Sequence, residues 1–278
     1  MTSIIILNYN NGSKTAGCIS SVLNQSSRDY RILIVDNGST DNSLDIIQDF
    51  LARNHMQCIL TGTNVEEFLW KEDEVILMKS DKNGGYSYGN NLGIRLAKSM
   101  KIFSHFMVIN NDVVLDKECL KTMVHRYEEL RQQDPTGNIA LGATELAKDG
   151  KKFHAGFHYL NLPTGITYSV PRYPSFKYIP GSLVFTTIDA PLMDEKFFLY
   201  FDDIRYSKIL RKNGFIMESN PGSIYTHEVG GTPRKNRQWQ IFRSLCRFYS
   251  LHYPLLLPVI VPLRLLLILY LFTKSLKS

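Results

Sequence analysis

The sequence predicts an α/β fold: a mostly parallel central sheet flanked by helices, followed by an apolar and basic helical tail. Three observations predict it. From Ser3 to Ile109 short apolar runs alternate with segments of helical periodicity, the pattern of βαβ units. Several of those runs stop abruptly in clusters of Asn, Asp and Gly. Residues 255–272 are almost wholly apolar, broken by Pro258, Pro262 and Arg264.

In order, residues 3–7 read as a strand and 13–25 as a helix with Thr15, Cys18, Ile19, Val22 and Leu23 on one face. Residues 31–35 form the next strand. Residues 41–53 follow as a helix with Leu44, Ile47, Phe50 and Leu51 inward and Thr40 or Asp41 as its N-cap. Residues 75–79 are the third strand, 87–100 a helix, 106–109 the fourth strand and 117–133 a helix. The Gly-, Pro-, Tyr- and His-rich stretch 139–178 reads as short strands and loops, with 168–178 on the acceptor side of a site. Then come a strand at 183–187, a helix at 205–213 stopped by Gly214, and strands at 215–219 and 223–226. The expected division is a main domain over 1–235 and a membrane-associating helical segment over 236–278.

A chain of 278 residues can bury a substantial core, and its ordinary apolar and charged fractions exclude a disordered protein. The net charge of +6 gathers late, at Arg234, Lys235, Arg237, Arg243, Arg247, Arg264, Lys274 and Lys277. Basic residues beside apolar ones suit an anionic membrane surface. Nucleic acid is not expected as a partner, because the first half lacks interleaved aromatic and basic residues. Cys18, Cys58, Cys119 and Cys246 form no ligand pattern and read as reduced thiols. Ile4–Leu7 is too short for a signal peptide. The expected location is the cytoplasmic face of the inner (plasma) membrane, peripheral or monotopic. Two prolines and an arginine favour an interfacial or re-entrant tail over one that spans, with a buried core helix as the plain structural alternative.

The apolar run Phe106–Ile109 ends in Asn110, Asn111 and Asp112 before apolar residues resume at Val113. Open α/β sheets bind ligands at the carboxyl ends of their strands. A carboxylate flanked by amides there suits a hard divalent cation shared with phosphate oxygens; a simple polar turn is the plain structural alternative. Similar clusters follow the other strands: Asn8-Tyr9-Asn10, Asp36-Asn37-Gly38-Ser39, and Asn83-Gly84-Gly85 leading to Asn90-Asn91. Together they line one rim, as a nucleotide site requires. Carboxylates and amides meet base or ribose, an aromatic stacks, and glycine lets the backbone approach a phosphate. Neither GxGxxG nor a Walker loop is present. Downstream, Phe197–Phe201 leads into Asp202-Asp203. Such a pair is welcome at a helix N-terminus, and one member can also serve as a general base. Residues 224–226 end in His227-Glu228, followed by Gly230-Gly231, where the imidazole can complete a metal site.

In order and spacing over residues 3–231, these motifs resemble the family 2 glycosyltransferases of GT-A fold, and within them the bacterial rhamnosyltransferases and galactofuranosyltransferases of surface polysaccharide synthesis. The matching pieces run from Ile5-Ile6-Leu7-Asn8-Tyr9-Asn10 through Val35–Asp41, Asn83–Gly93, Ile109–Asp112 and Phe197–Asp203 to His227. The resemblance implies inverting transfer from a dTDP- or UDP-sugar to a glycan or polyprenyl-diphosphate-linked acceptor. It implies Mg²⁺ or Mn²⁺ held by Asp112 and His227, with Asp203 as base beside Asp202. Asn8, Asn10, Asp36, Ser39, Asn83, Asn90, Asn110 and Asn111 would hold the nucleotide sugar. The chain departs from the pattern in four places. Asn110 stands where the metal-binding triplet usually begins with Asp, and Asp202 where Glu is usual. Arg205 replaces a second acidic residue, and residues 187–193 are short. A nucleotidyltransferase of similar fold would carry a cation after the first strand, which Asn8–Gly12 lacks. A degenerate, non-catalytic sugar- or nucleotide-binding membrane scaffold is the other alternative, which Asn110 favours and Asp112, Asp203 and His227 oppose.

Overall fold

The structure, a computed structural model, describes residues 1–63, 70–71, 73–147, 150–227 and 234–275. Glu228, Gly230 and Gly231, singled out above, lie outside the described residues. Strand β1 (Thr2–Asn8) leads to α1 (Gly12–Leu23), β2 (Tyr30–Asp36), α2 (Ser43–Arg53), β3 (Gln57–Thr61), β4 (Glu74–Lys79) and α3 (Tyr86–Ser99). Then follow β5 (His105–Asn110), β6 (Val113–Leu115), α4 (Cys119–Gln133), β7 (Asn138–Leu146), β8 (Lys152–Ala155), β9 (His158–Asn161), β10 (Ile166–Tyr168) and β11 (Ser175–Tyr178). The described chain closes with β12 (Leu183–Thr187), α5 (Asp202–Lys212), β13 (Phe215–His227), α6 (Arg234–His252), a short 3₁₀ turn (Pro254–Leu256) and α7 (Leu257–Ser275).

The main sheet has the order β3-β4-β2-β1-β5-β12-β7-β13-β6, with β8 beside β7. Strands β3, β4, β2, β1 and β5 are mutually parallel, whereas β12 runs antiparallel between β5 and β7. Alternation along β1 sends Ile4 and Ile6 into a core under α1, α2 and α4, and Ile5 into a core under α3 and α5. Gly93 lets α3 sit close to the sheet, since a Cβ there would lie 2.7 Å from Ile5 Cγ2. Register aligns the parallel strands: Asn8 pairs with Asp36, Leu7 with Asn110, and Asp36 with Lys79. Their polar carboxyl ends therefore share one rim, and β12 starts there because it runs the other way.

Several expected boundaries are corrected. Helix α5 begins at Asp202 rather than Arg205, so the carboxylate pair forms its first turn. Residues 215–227 are one strand with an irregularity between Asn220 and Ile224, where Pro221-Gly222 interrupts the pairing. Neither β3 nor β6 was expected as a strand. Strand β3 is a short edge whose Leu60 is exposed, so its burial gives little period-2 signal. The N-cap of α2 is Asn42, while the Asp41 carboxylate accepts from the Ser43 N–H at 3.0 Å.

A second sheet, β10-β9-β11, packs with the tail in a third core around Leu160, Phe176, Phe201, Phe248, Tyr249 and Ile260. Helix α6 begins at Arg234 and runs through the boundary expected at 235/236. Among the described residues no helix is long and apolar enough to cross a membrane. Within residues 257–270 of α7, Ile260 alone is deeply buried. Leu255, just before the helix, is 91% exposed, and Val259, Leu263, Leu266 and Tyr270 continue that exposed apolar stripe at helical spacing.

Candidate active site

Where β1 and β2 end, a closed polar network forms. Asn8 is fully buried, and its amide donates to Asp36 Oδ1 at 2.7 Å and to Ser39 Oγ at 3.1 Å. Its carbonyl accepts from Thr15 Oγ1 at 2.7 Å and from Asn111 Nδ2 at 3.4 Å. All of its hydrogen-bonding capacity is used inside the protein, so Asn8 organises the rim from beneath. Asp36 is buried as well and accepts from the backbone N–H and the hydroxyl of Ser39. Asn10 is exposed, with φ 49°, and its side chain pairs with Thr40. The structure thus joins Asn8, Asn10, Asp36, Ser39 and Asn111 in one cluster. Thr15 completes it but reads in sequence as a face residue of a helix.

Asn83 lies next along the rim, its carbonyl accepting from Asn37 Nδ2 at 3.1 Å and from the Gly85 N–H at 3.0 Å. Asn90 is buried in α3 and donates to the Tyr86 carbonyl at 3.0 Å, leaving its own Oδ1 without a partner among the described residues. Gly85 has φ 89° and ψ 178°, a conformation nearly confined to glycine. A Cβ there would lie 2.4 Å from the Phe198 carbonyl oxygen, which accepts the Tyr86 N–H at 2.7 Å. Gly85→Ala is therefore expected to cost about 1–3 kcal/mol and to loosen residues 198–203. Thermal melting and the activity of the same variant check both effects.

Those residues carry the carboxylate pair. Tyr200 and Phe201 are both left-handed, with φ 65° and 61°, immediately before Asp202. Consecutive non-glycine residues in that region are strained, and such strain clusters at functional sites. Asp203 accepts from the Ile204 N–H at 2.8 Å and, more weakly, from the Gly181 N–H at 3.4 Å. Burial raises both carboxyl groups well above the usual carboxylate range, and mutual repulsion raises Asp202 further. Tyr86 sits against Gly181, donating to its carbonyl at 2.5 Å, and burial together with Asp202 and Asp203 drives its phenol upward. Arg205 binds Asp194 at 2.8 Å and His252 at 3.1 Å, joining the loop before the pair to the tail.

The Asn110 N–H donates to the Ser182 carbonyl at 3.1 Å, and Asn111 Nδ2 donates to Thr15 Oγ1 at 3.0 Å. Asp112 meets His227 because β13 pairs with β6, His227 opposite Val113. His227 Nε2 lies 3.0 Å from Asp112 Oδ1, and Nδ1 lies 3.6 Å from Glu145 Oε1. Burial alone would lower the imidazole, but Asp112 and Glu145 push it up to about 9. Glu145 is held at about 2 against its burial by His154 and His227. Among the described residues no group of three His, Cys, Asp or Glu is arranged around a cation position. Asp112 and His227 nevertheless offer a carboxylate and an imidazole side by side, both partly exposed. That pairing of donors would suit Mg²⁺ or Mn²⁺. Glu145 went unrecognised in sequence; its only signal is a carboxylate in the otherwise apolar and small run 139–146.

The glycosyl transferase family 2 profile matches residues 3–182. The dolichyl N-acetyl-α-D-glucosaminyl phosphate 3-β-D-2,3-diacetamido-2,3-dideoxy-β-D-glucuronosyltransferase of Methanococcus voltae is 21% identical over 248 residues, covering 84% of this chain and 68% of that enzyme. Glycosyltransferase GlyG of Streptococcus pneumoniae is 22% identical over 142 residues, 51% of this chain, and the match spans only 38% of GlyG. The structure of GalNAc-T7 with UDP, GalNAc and Mn²⁺ superposes with a TM-score of 0.63 at 13% identity, over 90% of this chain and 47% of that one. Mannosyltransferase PcManGT of Pyrobaculum calidifontis, in complex with GDP-Man and Mn²⁺, gives 0.58 at 12% identity, over 90% and 63%. The mostly parallel central sheet flanked by helices matches these neighbours and is a GT-A fold, and with the profile matching well over half its length the chain belongs to glycosyl transferase family 2.

Proposed function

We propose that the chain is an inverting glycosyltransferase moving a sugar from a dTDP- or UDP-sugar to a glycan or polyprenyl-diphosphate-linked acceptor in bacterial surface polysaccharide synthesis. The observation that carries this reading is the strained loop that presents Asp203 at the head of α5, on the rim that also holds Asp112 and His227. Asp203 takes the proton of an acceptor hydroxyl as its oxygen bonds to the anomeric carbon. The bond from that carbon to the diphosphate oxygen breaks on the opposite face, and the nucleoside diphosphate leaves with the electron pair. Asp112 and His227 would hold Mg²⁺ or Mn²⁺, which when bound neutralises charge on the diphosphate. In this reading Asn10, Ser39, Asn83 and Asn110 contact the donor, with Asn8, Asp36, Asn90 and Asn111 shaping the rim behind them. Relatives named for UDP, GDP-Man and a dolichyl-linked substrate support a nucleotide-sugar donor and a lipid-linked acceptor.

The tail supports a place on the cytoplasmic face of the membrane. Residues 229–278 contain eight Lys and Arg and no Asp or Glu. The exposed stripe of α7 adds apolar area, and the third core packs the tail against the loop bearing the carboxylate pair. The test is transfer from UDP- and dTDP-sugars to a polyprenyl-diphosphate-linked sugar in anionic vesicles. We expect a product of inverted anomeric configuration by NMR, and vesicle binding that weakens as salt rises. A retained configuration, or hydrolysis without transfer, would contradict the reading.

A further inference from the structure

We infer that Glu145 is a positioning residue for His227, holding Nδ1–H so that Nε2, which here donates to Asp112 Oδ1 at 3.0 Å, is the nitrogen that a cation would take in place of that proton. This rests on the metal-binding reading of Asp112 and His227. Strand register builds the arrangement. Glu145 pairs with Tyr225 across β7 and β13 and with His154 across β7 and β8, so the three side chains form one row. His227 is two residues beyond Tyr225 and on the same face of β13.

The far side of the Glu145 carboxylate is anchored. Its Oε2 accepts from Tyr225 Oη at 3.0 Å and from His154 Nε2 at 3.0 Å. His154 Nδ1 accepts the Gly156 N–H at 3.2 Å, which puts the His154 proton on Nε2, facing Glu145. Tyr225 spends its one proton on Glu145, so the Ser182 hydroxyl, 2.6 Å away, donates to Tyr225. Glu145, His154, Ser182 and Tyr225 are all buried. Two donors thus fix Oε2 and, among the described residues, leave Oε1 facing His227. Its separation from Nδ1 is 3.6 Å, an ion-pair contact a little longer than the ~2.7–3.2 Å of a direct hydrogen bond. Histidines that ligate a metal through one nitrogen commonly pass the other N–H to a carboxylate, which sets both tautomer and ring orientation.

Glu145→Gln tests this with little change of shape. The amide oxygen must take the place of Oε2 to accept from Tyr225 and His154. The NH₂ then faces His227 and drives the ring proton to Nε2, the wrong tautomer for a ligand. Mn²⁺ affinity, read by electron paramagnetic resonance with Mn²⁺ alone and with UDP, should fall about 10–100-fold. Because Glu145 acts through His227, adding Glu145→Gln to His227→Ala should cause no further loss. Nitrogen-15 spectra of the Mg²⁺-titrated wild type should show His227 with its proton on Nδ1, a readout that holds even if the variant folds poorly. A proton on Nε2 there, or Mn²⁺ affinity that falls in His227→Ala but not in Glu145→Gln, overturns the role of Glu145. Mn²⁺ binding unchanged in both variants overturns the metal reading beneath it.

Discussion

Asp203→Asn is expected to lower turnover by about a hundredfold to ten-thousandfold, the usual worth of a general base, while leaving nucleotide binding within a few fold. Asparagine keeps the size of the side chain and can still accept the Ile204 N–H that holds Asp203 at the head of α5. It cannot take a proton. The same residue sets the pH dependence. Burial lifts its carboxyl above the usual range, and only the ionised form acts as a base. Activity should therefore rise with pH through an apparent pKa clearly above the ~3.9 of an ordinary aspartate, and that acid limb should vanish from the residual rate of the Asn variant. With two adjacent carboxyl groups the limb belongs to the pair, Asp202 included. Full activity in Asp203→Asn would remove Asp203 from the mechanism.

Asp112→Asn should have the other large effect. The substitution keeps the turn but removes the carboxylate beside His227. Asn110 already supplies an amide where the family's triplet usually begins with an acid, so Asp112 is the triplet's sole carboxylate. Turnover should fall on the order of a hundredfold or more, and chelator should make little further difference to the variant. A variant that keeps both its rate and its sensitivity to chelator would place the cation elsewhere.

Much of this site was legible in the sequence, for a physical reason. A buried parallel strand is a short apolar run, so a run that stops at Asn8, Asp36 or Asn110 marks a carboxyl end, and parallel strands bring those ends to one rim. His227 stood out in the same way, whereas the apolar run 197–201 before the Asp202-Asp203 pair is loop and not strand. Other features depend on three-dimensional relations that no local pattern records. The left-handed Tyr200 and Phe201 look like ordinary aromatics, yet their backbone decides how the pair is presented and why α5 starts at Asp202. Glu145 acquires its meaning only when register lines it up with Tyr225 and His154. Arg205, which in sequence is a departure from the family, is a tie between Asp194 and His252. The tail was legible as apolar and basic. Its attachment through Ile260, and through the Arg264 guanidinium on the Gly165 carbonyl, was not.

The most direct test of the central claim, that the rim is a metal-dependent nucleotide-sugar site, is calorimetric titration of the wild-type chain with UDP, dTDP, GDP and CDP, each with Mn²⁺ and with chelator. Binding of UDP or dTDP is expected to be strong with Mn²⁺ and weak with chelator. Folded protein that binds none of the four would contradict it and favour a degenerate scaffold.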